Sequence, residues 1–335
     1  MYGGNSNMTK IRYLCAFGLL FTFCAIDAAG AGAPTACIDT NKEQFVTVAP
    51  NVNLQVIDWG GAGETMVLLT GLGDNARVFS QLAFQWNDHF HVIGITRRGY
   101  LPSSQPQDGY DVPTRVADDI AVLDALKIDR AVLVGHSIAG SELSALAAAH
   151  PERVDKLVYL DALDLSQRGE VPGPPAFFGL FTDADTKSLW TYEAANARYQ
   201  GVREYEPALC PGLQFDNAGV PVASTTPDAI PAALLAGVTA IPPVNWSRIT
   251  APRLGIFAQV TLEGRSPWYT YLSLADQALF DEQYPAYVDW YRMTMRQFTR
   301  GDPVPAVILK NVPHYVYINN ETDVVRTMRP FLGIH

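Results

Sequence analysis

From about residue 45 onward the hydrophobic pattern alternates between two periods. Eight short runs rich in Val, Ile and Leu occupy 46–48, 54–59, 66–70, 91–96, 131–134, 157–160, 254–258 and 306–309. Several are apolar at every position, the pattern of strands covered on both faces of a mostly parallel sheet. Between them lie segments of helical period. Residues 114–126 (TRVADDIAVLDAL) place Val116, Ile120, Leu123 and Leu126 on one stripe and Asp118, Asp119 and Asp124 off it, an amphipathic helix feeding the strand at 131. Residues 137–150 are mostly Ala, Leu and Ser and read as a buried helix. Residues 320–332 put Glu321 and Asp323 in the first turn and Arg326 and Arg329 later, the order the helix dipole favours. Strand-helix alternation without an internal repeat predicts an α/β fold, a mostly parallel sheet with helices on both faces.

One stretch breaks the alternation. Residues 165–244 collect prolines and aromatics, among them Phe177, Phe178, Phe181 and Trp190. Eighty residues without a strand pattern are too long for a simple loop, so a small helical insertion is expected, a cap over the site that the sheet carries. Its aromatic residues read either as the cap's own core or as an apolar wall for substrate. The core is then 32–164 and 245–335.

The N-terminus is of another kind. Lys10 and Arg12 precede an apolar run over 13–26 and then the small residues of 28–33, the three parts of a secretory signal peptide. Cleavage after Ala31 fits Ala29-Gly30-Ala31 best, and fourteen apolar residues fall short of the roughly 20 that span a bilayer. A secreted or periplasmic protein with no stable membrane anchor is expected. Of four cysteines, Cys15 and Cys24 would leave with residues 1–31. Cys37 and Cys210 remain, as one disulfide in an oxidising compartment or as two separate thiols.

Composition narrows the partners. With 48% hydrophobic and 17% charged residues over 335 positions the chain can bury a large core, which excludes disordered and collagen-like readings. A net charge of −10 argues against nucleic acid, since there is no cation excess to displace counterions from phosphate. Metal-ligand and phosphate-loop patterns do not occur. Gly60-Gly61-Ala62-Gly63 precedes its strand instead of following one, so no dinucleotide fingerprint is present and no cofactor is expected.

Candidate chemistry begins at Ala131-Val132-Leu133-Val134-Gly135-His136-Ser137-Ile138-Ala139-Gly140. A buried strand running into Gly-His-Ser and then a helix is the context of a nucleophile elbow, with Ala139 where the second glycine of G-x-S-x-G usually stands. A serine hydroxyl needs a base to take its proton and donors for the developing oxyanion. Thr70-Gly71-Leu72-Gly73-Asp74-Asn75 follows its strand with a glycine-rich turn, making the N–H groups of Leu72 and Ile138 the expected donors. His314 follows the last strand, at the edge of the sheet that carries the elbow, and is the expected base.

With these segments, and with ITRRGYLPSS (95–104) and RVDKLVYLDA (153–162), the chain from about residue 45 to its end resembles the α/β-hydrolase superfamily in its capped, esterase- or lipase-like branch. The resemblance implies the order nucleophile, acid, histidine, with a cap inserted after the sixth strand. It assigns Ser137 as nucleophile, His314 as base and Leu72 and Ile138 as oxyanion donors. The acid departs from the common pattern. Nine residues beyond Pro252, where many relatives keep it, stands Thr261, and the nearest carboxylate is Glu263. The other place is the end of the sixth strand, at Asp161. Asp161 is favoured, with Glu263 and then Asp164 as alternatives. The function expected is cleavage of small to medium, largely apolar carboxylic esters. An amidase, lactonase, thioesterase or carbon-carbon hydrolase would use the same triad, and a sensor with little turnover or a lyase would share the scaffold.

Overall fold

The computed structural model describes residues 43–162, 213–215, 221–240, 244–259, 274–299, 304–310, 312 and 314–334. Its strands are β1 (Glu43–Ala49), β2 (Val52–Gly60), β3 (Thr65–Leu69), β4 (His91–Ile95), β5 (Ala131–His136), β6 (Val154–Leu160), β7 (Leu213–Phe215), β8 (Pro221–Ser224), β9 (Arg253–Gln259) and β10 (Ala306–Lys310). Eight of them form one sheet in the order β1-β2-β4-β3-β5-β6-β9-β10. β2 runs antiparallel to both its neighbours and the other pairs are parallel. Each of the eight apolar runs in the sequence falls on one strand of this sheet.

Strand periodicity divides the core in two. In β3 and β4, Val67, Leu69, Ile93 and Ile95 point to one face with Leu133 of β5, against Val116 and Leu123 of α2 (Val112–Ala125) and Leu143 and Leu146 of α3 (Ala139–Ala149). Their alternates Met66, Leu68 and Val92, with Val132 and Val134, point to the other. There they meet Leu82 of α1 (Ser80–Phe84), the adjoining Phe79 and Trp86, and the last helix. A register slip of one residue would exchange the faces. Each such side chain contributes about 1.5–3 kcal/mol on burial, so the apolar faces fix the register.

α2 starts where Asp111 accepts a hydrogen bond from the Thr114 N–H at 2.9 Å, with Pro113 in the first turn; both features favour a helix N-terminus. Its polar residues differ from expectation. Asp118 and Asp119 are buried, whereas Asp124 is 63% exposed. The apolar stripe faces the sheet as its period requires, but the flank beside it turns toward three buried arginines. Hydrophobic periodicity cannot register that arrangement.

Within 165–244 the described residues are not solely helical. β7 and β8 form an antiparallel pair, and only then comes α4 (Ala229–Thr239), whose Ile230, Leu234 and Val238 are buried against Tyr110 and Val112. Strands of three and four residues are too short to stand out as apolar runs, and Pro221 sits at a first strand position, where proline is tolerated. α5 (Leu274–Phe298) is a second element that the hydrophobic pattern leaves unmarked. Pro285 interrupts its sequence, and its buried residues Tyr291, Met295 and Phe298 lie in the C-terminal part. The chain closes with the single turn α6 (Val316–Asn319) and with α7 (Glu321–Leu332), which buries Val324, Met328 and Leu332 and ends at Gly333 with φ +84°, the left-handed cap that glycine favours. Because β3, β5, β6, β9 and β10 are parallel, the loops after them emerge at one edge.

Candidate active site

The turn after β5 places Ser137 at φ +56°, a left-handed conformation that costs a non-glycine residue of the order of 1–3 kcal/mol and gathers at functional sites. The turn is tight. A Cβ on Gly135 would lie 2.7 Å from Leu143 Cδ1 and 3.0 Å from Ala139 Cβ, so a side chain at 135 would force Leu143 to shift, whereas position 139 accommodates its buried methyl group. The Ser137 N–H donates to Leu160 O at 3.3 Å, which ties the elbow to the end of β6.

The next residue after that carbonyl is Asp161, also left-handed at φ +43°. Its N–H donates to Ile256 O at 2.7 Å and its Oδ1 accepts from the Ala258 N–H at 2.9 Å, so β9 fixes both the backbone and one carboxylate oxygen. The other oxygen, Oδ2, accepts from His314 Nδ1 at 2.6 Å, the short distance of a charge-assisted hydrogen bond. Desolvation works against charge on His314. The hydrogen bond and negative charge of Asp161, with Asp74 beyond, outweigh it and hold the imidazole above its ordinary value. Its side chain is still 47% exposed, so the ring remains open to a reacting molecule. Of the three carboxylates weighed as the acid, Asp161 is in contact with His314; Glu263 and Asp164 lie outside the described residues.

His136, beside the serine, packs its ring against His314 with centroids 4.5 Å apart, and its Nε2 lies 3.3 Å from His314 O. Burial, and then the neighbouring His314, push His136 down. A neutral ring with the proton on Nε2 can donate to that carbonyl. Gly71 approaches the same ring so closely that a Cβ there would be 2.6 Å from His136 Nδ1 and 2.8 Å from Asp74 Oδ2. The turn after β3 is therefore pressed against the elbow, which brings the expected donor loops of Leu72 and Ile138 to one place. Neither N–H donates to an acceptor among the described residues.

Below this turn lies a buried ionic cluster. Arg97 donates from Nε and Nη2 to Glu142 at 2.8 and 2.7 Å, and from Nη1 and Nη2 to the carbonyls of Gly71 and Thr70 at 3.0 and 2.8 Å. The same guanidinium thus grips α3 and the turn carrying Leu72. Arg115 reaches Glu142 at 2.8 Å, and Arg98 pairs with both oxygens of Asp118 at 2.6 Å. Burial would raise the Glu142 carboxyl, but Arg97 and Arg115 bring it below its ordinary value. Asp119 is pushed well up by burial and by Glu142 and Asp118. Asp74, Arg97 and Glu142 were not singled out by sequence reasoning; the first two stand inside TGLGDN and ITRRGYLPSS, but neither segment says what its polar side chains touch.

Phe177, Phe178, Phe181, Trp190, Cys37 and Cys210, and the expected signal segment, lie outside the described residues. Among the described residues no group of three or more His, Cys, Asp or Glu side chains is gathered as metal ligands would be.

Comparison with known proteins adds the following. A family profile described as the alpha/beta hydrolase fold matches residues 64–189. A 2-(acetamidomethylene)succinate hydrolase of Mesorhizobium japonicum is 34% identical over 102 residues, 30% of this chain and 36% of that protein. A non-heme chloroperoxidase of Streptomyces lividans is 36% identical over 121 residues, 35% of this chain and 44% of that protein. Each match spans less than half the length of the relative. In three dimensions the crystal structure of E-2-(acetamidomethylene)succinate hydrolase superposes with a TM-score of 0.60 at 20% identity, covering 87% of this chain and 98% of that one. At that identity the likeness shows a common fold.

Proposed function

Since this chain has the α/β-hydrolase fold, we propose that it is a secreted or periplasmic serine hydrolase that cleaves carboxylic esters by acyl transfer. The observation that carries the reading is the Asp161–His314 hydrogen bond at 2.6 Å, beside a strained serine whose N–H is bonded to the residue preceding that aspartate.

In this reading Ser137 Oγ attacks the ester carbonyl while His314 Nε2 takes its proton. Asp161 holds Nδ1–H and so fixes the tautomer that leaves Nε2 free to act as base. The oxygen that becomes negative is received by the N–H groups of Leu72 and Ile138. His314 returns the proton to the departing alcohol. Water, deprotonated by the same imidazole, then releases the acid and restores Ser137. Removal of a single donor from such an oxyanion site typically costs 10²–10³ in kcat. Residues 165–244 would cap this edge and supply an apolar wall, which favours small to medium, largely apolar esters. Halide or epoxide opening through an alkyl-enzyme requires a carboxylate at the elbow, where this chain has Ser137.

Two measurements bear on the class. A panel of p-nitrophenyl esters graded in chain length is expected to be hydrolysed, with Ser137→Ala lowering kcat by about 10⁶-fold; a variant that keeps turnover within about tenfold of wild type contradicts the reading. The second is pH dependence. His314 acts as base only when neutral, and its carboxylate neighbour raises its pKa above the ordinary 6.5. The acid limb of kcat/KM is therefore expected above that value, since this ratio reports the free enzyme. An acid limb below it would mean that another group is the base.

A further inference from the structure

We infer that Asp74 is a positioning residue of this site, tying the turn that carries Leu72 to the segment that carries His314; the inference rests on the serine-hydrolase reading above. Asp74 is 1% exposed. Its Oδ1 accepts from Tyr315 Oη at 3.2 Å, and Tyr315 is the residue after His314. Its Oδ2 lies 3.7 Å from His136 Nδ1, and His136 is the residue before Ser137. One carboxylate thus touches the neighbours of both the base and the nucleophile while itself standing two residues beyond Leu72. The space is closed: Gly71 leaves no room for a methyl group between itself, His136 and Asp74.

A buried carboxylate is costly, several kcal/mol in desolvation, so fold stability alone does not account for one in this place. Its charge has a use beside a base. Among the described residues the titratable groups around His314 are Asp161 from the end of β6, His136 from β5, Asp74 from the turn after β3, and Tyr315, with Tyr317 packed behind His136. Of these groups only the two aspartates are carboxyl groups. Both favour the imidazolium that forms when Ser137 gives up its proton, Asp161 through contact and Asp74 through space. The same carboxylate raises the Tyr317 hydroxyl, which burial already pushes well up, so that tyrosine stays neutral.

Two variants of the full chain separate position from charge. Asp74→Asn keeps the size and the acceptor for Tyr315 but removes the charge; Tyr315→Phe removes the tether and keeps the charge. The His314 imidazole is titrated by NMR in each, and p-nitrophenyl ester kinetics are measured alongside. For Asp74→Asn the expected result is a His314 pKa lower by about half a unit and a kcat lower by about tenfold at unchanged KM. For Tyr315→Phe it is a kcat lower by a similar factor with the titration unmoved, because slight misplacement of a reacting group is enough to cost such factors. An Asp74→Asn protein with wild-type titration and wild-type kcat overturns the inference, as does one that only melts at lower temperature. The titration does not depend on turnover. A chain that hydrolyses no ester but shows the shifted His314 titration sinks the hydrolase reading and leaves the link between Asp74 and His314 standing.

Discussion

Replacing Asp161 with Asn is expected to lower kcat by about 10⁴-fold, with KM changed by less than about threefold and the fold intact. The reason is the division of labour between its two oxygens. Oδ1 is engaged by the Ala258 N–H and Oδ2 by His314. An amide in this place can keep one acceptor but must present an NH₂ at the other. If the NH₂ faces His314 it can donate only to a bare Nδ1, which forces the proton onto Nε2, where the base must be unprotonated. If it faces Ala258, two donors oppose each other. Glu263→Gln serves as the control and is expected to stay near wild type. A result in which Glu263→Gln loses activity and Asp161→Asn keeps it would transfer the acid to the segment after β9 and leave the Asp161 contact a structural one.

The largest effect on stability is expected at Glu142. Its carboxylate is the shared partner of Arg97 and Arg115, all of them buried. Glu142→Ala leaves two guanidinium groups without their counter-charge in the interior, at a cost of about 3–5 kcal/mol. Denaturant unfolding measures it. A companion variant that replaces Glu142, Arg97 and Arg115 together with apolar residues of similar volume is expected to recover most of the loss, because the penalty comes from stranded charge more than from absent attraction. It is not expected to recover activity, since Arg97 also grips the carbonyls of Thr70 and Gly71 beneath Leu72. The pH dependence has a definite sign. The folded-state pKa of Glu142 is depressed, so its contribution is fully present above the ordinary value of 4.5 and is lost as pH falls through the lower folded-state value. A Glu142→Ala protein as stable as wild type would contradict this account of the cluster.

The sheet was legible because its strands are short, apolar and bounded by turn residues. Val132 and Val134 on one face and Leu133 on the other are all buried, and such a run admits little besides a strand covered on both sides. The elbow was legible for a related reason: Gly135 and Ala139 record in sequence how little room the turn leaves around Ser137. What stayed hidden is of two kinds. Elements with weak hydrophobic contrast were missed, such as α5, interrupted by Pro285, and the pair β7 and β8, shorter than any periodicity can register. Polar burial was the other kind. Asp118 and Asp119 look like the wet face of a helix until Arg98, Arg97 and Arg115 are brought to them by β4 and α2. Asp161 could be placed on a shortlist by its strand end, but its contact with His314 came into view only when β9 was laid beside β6.

The central claim is that Ser137 is an activated nucleophile, and covalent labelling tests it most directly. The folded full-length protein is incubated with a fluorophosphonate, digested, and read by mass spectrometry. The account predicts a phosphonyl adduct on Ser137, absent in a His314→Ala variant, because the hydroxyl reacts only when the imidazole takes its proton. A folded protein that leaves Ser137 unmodified, or one that labels equally well without His314, would contradict it.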